Sequence, residues 1–293
     1  GELDAYLKDG YTVVDSMLFN GTNTYLNRTA LTAPTNAKIG SLSMWVKRGS
    51  LATGNSQYLM QTESGTSNNT HFTLFFTTTN TIQSGQYSED PFTNTSILFR
   101  DPSAWYHIFI AYDSTQVTAV DRFKLYVNNE LLASSTTITL NNEWAFLQAS
   151  QSLNFGRHTS VGRHFDGYLS EINLIDGQAL TPSSFGKTGA FGEWLPKKYT
   201  GTYGTNGFYL EGKDSADLGK DTSGNGNNWT NNNVVQVTDT PTDNYAVINP
   251  LIANPSLTYS NGNLKVNGTA EGWMGAPATI YVDSGKWYWE TTI

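Results

Sequence analysis

Three acidic residues in one predicted strand are the first candidates for chemistry. Asp166, Glu171 and Asp176 follow one another at a spacing of five residues. Two catalytic carboxylates must lie about 5–9 Å apart to cleave a glycosidic bond. Because side chains alternate between the two faces of a strand, a spacing of five places successive members on opposite faces. A turn would have to reunite them, so the spacing argues against a hydrolase.

Other catalytic patterns are also missing from the sequence. The chain has no Cys, which excludes a thiolate nucleophile, a disulfide and a thiolate metal site. It has no Gly-x-Ser-x-Gly elbow, no Walker loop and no dinucleotide fingerprint. His158 and His164 flank a turn, but their spacing of six matches no helical metal motif. We therefore predict that the chain is not an enzyme.

The composition favours strands and tight turns. Of the 293 residues, 38 are Thr, 28 are Asn and 27 are Gly. Thr is enriched in strands, whereas Asn and Gly are enriched in turns. The net charge of −8 argues against binding to duplex nucleic acid, which depends on Lys and Arg contacts to phosphate. No apolar run approaches the ~20 residues that a membrane span needs.

Alternation of apolar and polar residues with a period of two predicts the β-strands that must position any site. It recurs at residues 42–46, 72–76, 106–112 and 123–127, and Asn128-Asn129 follows as a hairpin turn. No helical segment of comparable length separates these runs. The pattern predicts an all-β fold made of antiparallel sheets packed as a sandwich.

Three segments, in this order, resemble a laminin-G-like domain of the concanavalin A-like jelly-roll superfamily. They are residues 18–47, with Leu18-Phe19-Asn20-Gly21 and Ser41-Leu42-Ser43-Met44-Trp45; residues 105–131, with the central hairpin; and residues 165–182, with Phe165-Asp166-Gly167-Tyr168. The resemblance implies a jelly roll over residues 1–190. Some jelly-roll relatives hydrolyse glucans through a Glu-x-Asp-x-x-Glu run, which this sequence lacks.

The rest of the chain differs in composition from residues 1–190. Residues 191–255 form an extension rich in Gly, Asn and Pro. Within it, residues 207–235 resemble the stretch that usually starts such a domain, so we expect them to pair with the first sheet or else to form a meandering linker. Residues 256–293 resemble the first strands of a SPRY-type β-sandwich. Because residues 286–290 alternate like a strand with nothing after them to pair with, we expect the chain to be a fragment.

The resemblance also implies a Ca²⁺ site near the rim of a sheet. Asp166 and Glu171 remain as possible ligands, whereas Asn20, Thr24 and Ser170 stand where relatives often carry Asp. Ca²⁺ takes six to eight oxygen ligands, so a site with so few anionic ligands would be weak. The alternation of Asp221, Ser223, Asn225 and Asn227 resembles a calcium loop, but a run of Asx turns is the favoured interpretation.

Sugar binding would need exposed aromatic rings beside hydrogen-bonding side chains. The candidate loops are residues 55–58, 86–90 and 157–164. We expect Trp45 and Trp105 in the core because they lie inside strands, whereas Trp144 is expected at the surface because it follows Asn141-Asn142-Glu143. The predicted carbohydrate-binding residues are Tyr58, Tyr87, Trp144, Arg157 and His158.

The order of the segments as a whole resembles structural or fibre proteins of marine tailed phages. This resemblance implies a non-enzymatic structural and adhesive module of a virion fibre or decoration protein. Its partners would be glycans or a host surface and other virion subunits, in a homo-oligomer at the virion surface or outside the cell. Two alternatives stay open: a purely architectural capsid or tube protein that binds no sugar, and a bacterial surface adhesin.

Overall fold

A computed structural model describes residues 11–28, 32–51, 54–63, 71–86, 93–159, 161–252, 254, 256–268 and 275–291. Its strands, in chain order, are β1 (Ser16–Asn20), β2 (Tyr25–Arg28), β3 (Ile39–Arg48), β4 (Gln57–Glu63), β5 (Phe72–Phe76), β6 (Ile82–Gln86), β7 (Thr93–Asn94), β8 (Trp105–Asp113), β9 (Phe123–Val127), β10 (Glu130–Ser134), β11 (Ser152–Phe155), β12 (Arg157–His158), β13 (Arg163–His164), β14 (Asp166–Asp176), β15 (Gly186–Thr188), β16 (Trp194–Pro196), β17 (Phe208–Leu210), β18 (Thr230–Asn232), β19 (Val235–Val237), β20 (Leu257–Ser260) and β21 (Lys265–Gly268). Two short 3₁₀ turns lie at Ala119–Asp121 and Pro182–Ser184.

Two antiparallel sheets pack face to face, which confirms the predicted all-β sandwich. The front sheet has the order β10-β9-β8-β3-β14-β1-β19, and β17 also pairs with β14. The back sheet has the order β18-β2-β11-β4-β5-β6-β7. Apolar residues from both sheets, such as Met44 and Ile108 in front and Met60 and Leu74 behind, form one buried core. The described residues contain no helix long and apolar enough to cross a bilayer.

The extension is built into the sandwich. Strand β17 pairs with β14 through Leu210 opposite Ile172, and β19 pairs with β1. Strand β18 pairs with β2 at the edge of the back sheet. These ladders are the return pairing proposed for residues 207–235, so this stretch is not a meandering linker. The domain boundaries at residues 190 and 255 remain predictions.

The extension also covers the outer face of the front sheet. Trp194 Nε1 donates a hydrogen bond to His107 Nδ1 at 3.0 Å, and His107 Nε2 contacts Ser43 Oγ at 2.8 Å. Burial lowers the pKa of His107 to about 3, so this imidazole is neutral. Both ring nitrogens have partners, and His107 therefore acts as a packing residue rather than as a base.

Residues 286–291 do not form the strand that their alternation predicts. Within the described part of the chain they belong to no ladder, and Trp287, Tyr288 and Trp289 are 66%, 82% and 78% exposed. A strand is stable only when its backbone groups and one face find partners. The β20–β21 hairpin is the regular element of this region, and the resemblance to a SPRY-type sandwich stays a prediction.

Candidate functional site

A polar cleft of about 340 Å³ lies at one end of the sandwich. The antiparallel register builds it, because the end of β1 pairs with the start of β14 and the end of β3 lies beside them. Two further loops and the end of β20 close its sides. We call this site the rim cleft; its lining includes Asn20, Asn55, Gln57, Arg163, His164, Asp166 and Tyr259.

Asp166 holds the loops of the rim cleft together. Its Oδ1 accepts a hydrogen bond from Gly262 N at 2.7 Å, and Ser50 donates to the carboxylate from its hydroxyl and its backbone N–H. Gly262 has a φ of +62°, and a Cβ there would lie 2.7 Å from Leu18 and Tyr168. Burial raises the pKa of Asp166 while these donors oppose the rise. The carboxylate therefore docks the turn before β21 onto the sandwich.

The residues predicted as Ca²⁺ ligands do not fit that ion in this arrangement. Asp166 faces N–H and O–H donors, and Asn20 Oδ1 accepts hydrogen bonds from the backbone of Thr22 and Asn23 and from Thr24 Oγ1. Glu171 lies five positions along β14, roughly 16 Å away at about 3.3 Å per residue. Across the described ranges, no three His, Asp or Glu side chains are grouped to hold a metal.

Glu171 belongs to a separate buried cluster. It occupies a β-bulge in β14 with a φ of +52°. Its carboxylate accepts hydrogen bonds from Tyr209 Oη at 2.7 and 2.8 Å and from Tyr11 Oη at 2.9 Å. Burial raises the pKa of Glu171 to about 7, although both phenols oppose the rise. This carboxyl group links the segment before β1 to the extension rather than binding a ligand at the rim.

The raised pKa of Glu171 makes folding pH-dependent. The group is protonated in both states below about pH 4.5, and between there and about pH 7 only the unfolded chain loses the proton. Its contribution to stability is therefore lost as the pH rises through that window. We expect Glu171→Gln to remove this loss, worth up to about 3 kcal/mol. Urea unfolding of both proteins at about pH 5 and about pH 8 tests this; an equal pH dependence would contradict it.

The β12–β13 hairpin lies beside the rim cleft and contains two predicted sugar-binding residues. The Arg157 guanidinium lies 3.4 Å from the centre of the Tyr25 ring, and its Nε donates to Asn154 Oδ1. The His158 ring packs edge-on against Tyr58 at 4.6 Å. His158 thus contacts Tyr58, whereas Arg157 contacts Tyr25 and Asn154.

Tyr58 is only 8% exposed, and its ring stacks on Phe75 at 4.6 Å. Its hydroxyl accepts a hydrogen bond from Arg163, which lines the rim cleft. The ring is therefore engaged by protein neighbours, and Tyr58 serves to position Arg163. Tyr87 lies outside the described residues.

The prediction that Trp144 lies at the surface is wrong. Its side chain is fully buried, stacked on Tyr112 at 5.2 Å and edge-on to Phe72 at 5.4 Å. A sugar has no access to this ring. Arg163, His164 and Tyr259 line the cleft but were not among the predicted carbohydrate-binding residues, although two of the three candidate loops contribute residues 55–57 and 161–164 to it.

The loop at residues 221–227 is the predicted run of Asx turns. Asp221 Oδ1 accepts hydrogen bonds from the backbone N–H groups of Tyr209 and Ser223, and Oδ2 accepts one from that of Asn227. Asn225 Nδ2 donates to the carbonyl of Gly207. These hydrogen bonds are those of the favoured Asx-turn interpretation, and they give the loop a structural role.

Comparison with known proteins agrees with this architecture. The family model described as the concanavalin A-like lectin/glucanases superfamily, of the laminin G type, matches residues 20–184, more than half of the chain. No curated protein matches the sequence.

Solved structures share the fold at low identity. A "putative carbohydrate binding protein" from Bacteroides ovatus is 16% identical with a TM-score of 0.50, and the match covers 78% of this chain and 60% of that one. A heptameric SAP-like pentraxin from Limulus polyphemus is 16% identical with a TM-score of 0.44, covering 59% and 80%. The CBM40 domain of a Ruminococcus gnavus sialidase, bound to α2,3-sialyllactose, is 13% identical with a TM-score of 0.36, covering 54% and 94%.

Proposed function

The chain belongs to the concanavalin A-like lectin/glucanases superfamily, and we propose that it is a non-enzymatic module that binds a glycan in the rim cleft. The observation that carries this proposal is the convergence of two loops. Residues 55–57 and 161–164, about a hundred positions apart, meet in one cleft with Tyr259. Both loops have the polar composition that saccharide hydroxyl groups require.

The size and lining of the rim cleft support a small saccharide as ligand. A volume of about 340 Å³ lies at the lower end of the range for ligand pockets. Asn55 is exposed at its edge, Gln57 is buried at its side, and Tyr259 offers an aromatic surface. The structural neighbour from Bacteroides ovatus is a putative carbohydrate binding protein, which adds support by analogy.

The same lining favours binding over hydrolysis. Glycoside hydrolysis uses two carboxyl groups, and among the described lining residues Asp166 is the one acidic side chain. Its oxygens already accept hydrogen bonds from Gly262 and Ser50. A carboxylate fixed in this way has no second partner across the cleft for acid–base work.

The biological setting of the module is part of the proposal. The sequence resemblance to phage fibre proteins supports a structural and adhesive role in a virion fibre or decoration protein. That role places the chain at the virion surface or outside the cell, next to other virion subunits, in a homo-oligomer. The SPRY-type resemblance of residues 256–293 supports a string of sandwich modules. An architectural protein without sugar binding and a bacterial adhesin are the alternatives.

A glycan array with the folded chain tests the proposal. We expect specific binding that EDTA leaves unchanged, because Asp166 and Asn20 face donors rather than a cation. Asn55→Ala should weaken binding at the rim cleft, whereas Asn94→Ala, an exposed amide outside the cleft lining, should not. Folded protein that binds no glycan would favour the architectural alternative, and binding lost in EDTA would show that a metal is required.

A further inference from the structure

We propose that the rim cleft selects saccharides that carry an anionic group, a uronate carboxylate or a sulfate ester, and that Arg163 binds this group. The inference rests on the proposed glycan binding and adds the ligand class. It starts from the β12–β13 hairpin, whose two arginines form no ion pair within the described part of the chain.

The hairpin places basic side chains directly opposite each other. In its register Arg157 pairs with His164, and His158 pairs with Arg163. Burial lowers the pKa of His164, and the positive charge of Arg157 adds to this shift. The hairpin therefore carries one arginine on each of its two strands.

No acidic side chain in the described part of the protein forms an ion pair with Arg157 or Arg163. The ion pairs there involve Lys47, Lys124, Lys198 and Lys220, and neither arginine of the hairpin takes part in one. This is unexpected in a chain with 25 acidic and 17 Lys and Arg residues. An anion supplied by a ligand would provide the missing counter-charge.

Arg163 is placed to meet such a ligand. It lines the rim cleft and donates one hydrogen bond to the hydroxyl of Tyr58, a buried side chain that restricts its position. A guanidinium has five N–H donors in a planar fork that matches carboxylate and sulfate oxygens. Most of its donors therefore remain for a ligand.

Two further polar atoms in the lining lack partners. His164 Nδ1 and Tyr259 Oη are buried atoms with no hydrogen bond in the described structure, and both residues line the rim cleft. Buried polar groups are normally satisfied, so each such exception calls for an explanation. Both atoms are closed to solvent, so a ligand in the cleft reaches them only after the lining rearranges.

Asp166, the acidic residue of the same lining, does not cancel this positive character. Its carboxylate accepts hydrogen bonds from Gly262 and Ser50, and it is 5% exposed. It forms no ion pair with Arg163. The two groups therefore have separate roles, one holding the loops and the other facing the ligand.

Calorimetric titration with three defined probes tests the inference: tetragalacturonic acid, a sulfated galactan tetrasaccharide and neutral galactotetraose. We expect at least one anionic probe to bind at least about tenfold more tightly than the neutral one, a typical effect of a charged hydrogen bond. Arg163→Gln should remove this preference, and Arg163→Lys should retain part of it. Arg100→Gln, which removes an exposed positive charge outside the cleft, should change nothing. Circular dichroism verifies that each variant is folded.

The outcomes separate the two proposals. A neutral probe that binds as tightly as both anionic probes, or a preference that survives in folded Arg163→Gln, overturns the anionic inference and leaves glycan binding standing. A folded wild-type chain that binds none of the probes and no glycan on the array overturns both. The carboxylate and sulfate probes, compared directly, show which anion the guanidinium prefers.

Discussion

Replacing Trp144 by Ala is expected to destabilise the fold by about 3–5 kcal/mol. The indole is fully buried between the sheets, stacked on Tyr112 and in contact with Phe72 and Phe146. Its removal leaves a large cavity among rigid aromatic neighbours, and a sandwich held by ladders on both sides cannot collapse to fill it. The loss therefore includes both the transfer free energy of the ring and a cavity penalty.

Urea unfolding followed by far-UV circular dichroism measures the effect. Trp289→Ala is the matched control because that ring is 78% exposed, and we expect it to change stability by no more than about 0.5 kcal/mol. Glycan binding by the Trp144→Ala variant should persist wherever it remains folded, since the ring does not touch the rim cleft. A Trp144 variant as stable as the Trp289 control would mean that the indole is not part of the core.

Trp144 also shows where sequence patterning stops being informative. It lies outside any strand, so no alternation assigns it to a face, and the polar residues before it suggested a surface loop. Its burial depends on distant groups, such as the carbonyl of Ala37, which accepts a hydrogen bond from its backbone N–H at 2.7 Å. Such long-range contacts leave no local signal in the sequence.

Elements with a local signal were predicted well. Alternation correctly gave β3, β5, β8 and β9, and Asn128 and Asn129 adopt the positive φ values, 47° and 70°, that a two-residue hairpin turn requires. Trp45 and Trp105 are buried as expected, at 3% and 9% exposure. They belong, however, to a cluster with Val247 of the extension rather than to the main core.

The rim cleft was predicted only in part for the same reason. Two of its loops were recognisable from their polar and aromatic composition. Tyr259 and Gly262 lie about a hundred residues after the loop at 161–164. The hydrogen bond from Gly262 to Asp166 that docks this segment has no signature in the local sequence. Composition alone identifies a Gly- and Asn-rich stretch as a loop, but it does not show which surface of the protein that loop covers.

The extension adds strands to both sheets and also covers the outer face of the front sheet, and a buried ion pair between described residues helps to anchor it. Lys47 Nζ lies 2.6 Å from Asp239 Oδ2, and the two side chains are 0% and 7% exposed. Asp239 Oδ1 also accepts a hydrogen bond from Trp105 Nε1 at 3.1 Å. Burial lowers the pKa of Lys47, and the charge of Asp239 opposes that shift.

Asp239→Ala is accordingly expected to cost about 3–5 kcal/mol, because it leaves a buried ammonium group without its counter-charge. Asp214→Ala is the control, since Asp214 pairs with Lys220 at 3.2 Å in solvent, and exposed ion pairs contribute little. The double variant Lys47→Met with Asp239→Ala should recover part of the loss, because it removes the unpaired charge along with its partner. Urea unfolding of all four proteins measures these differences. Equal stability of the Asp239 and Asp214 variants would show that the extension does not depend on this pair, and the ladders of β17, β18 and β19 would then have to hold it in place by themselves.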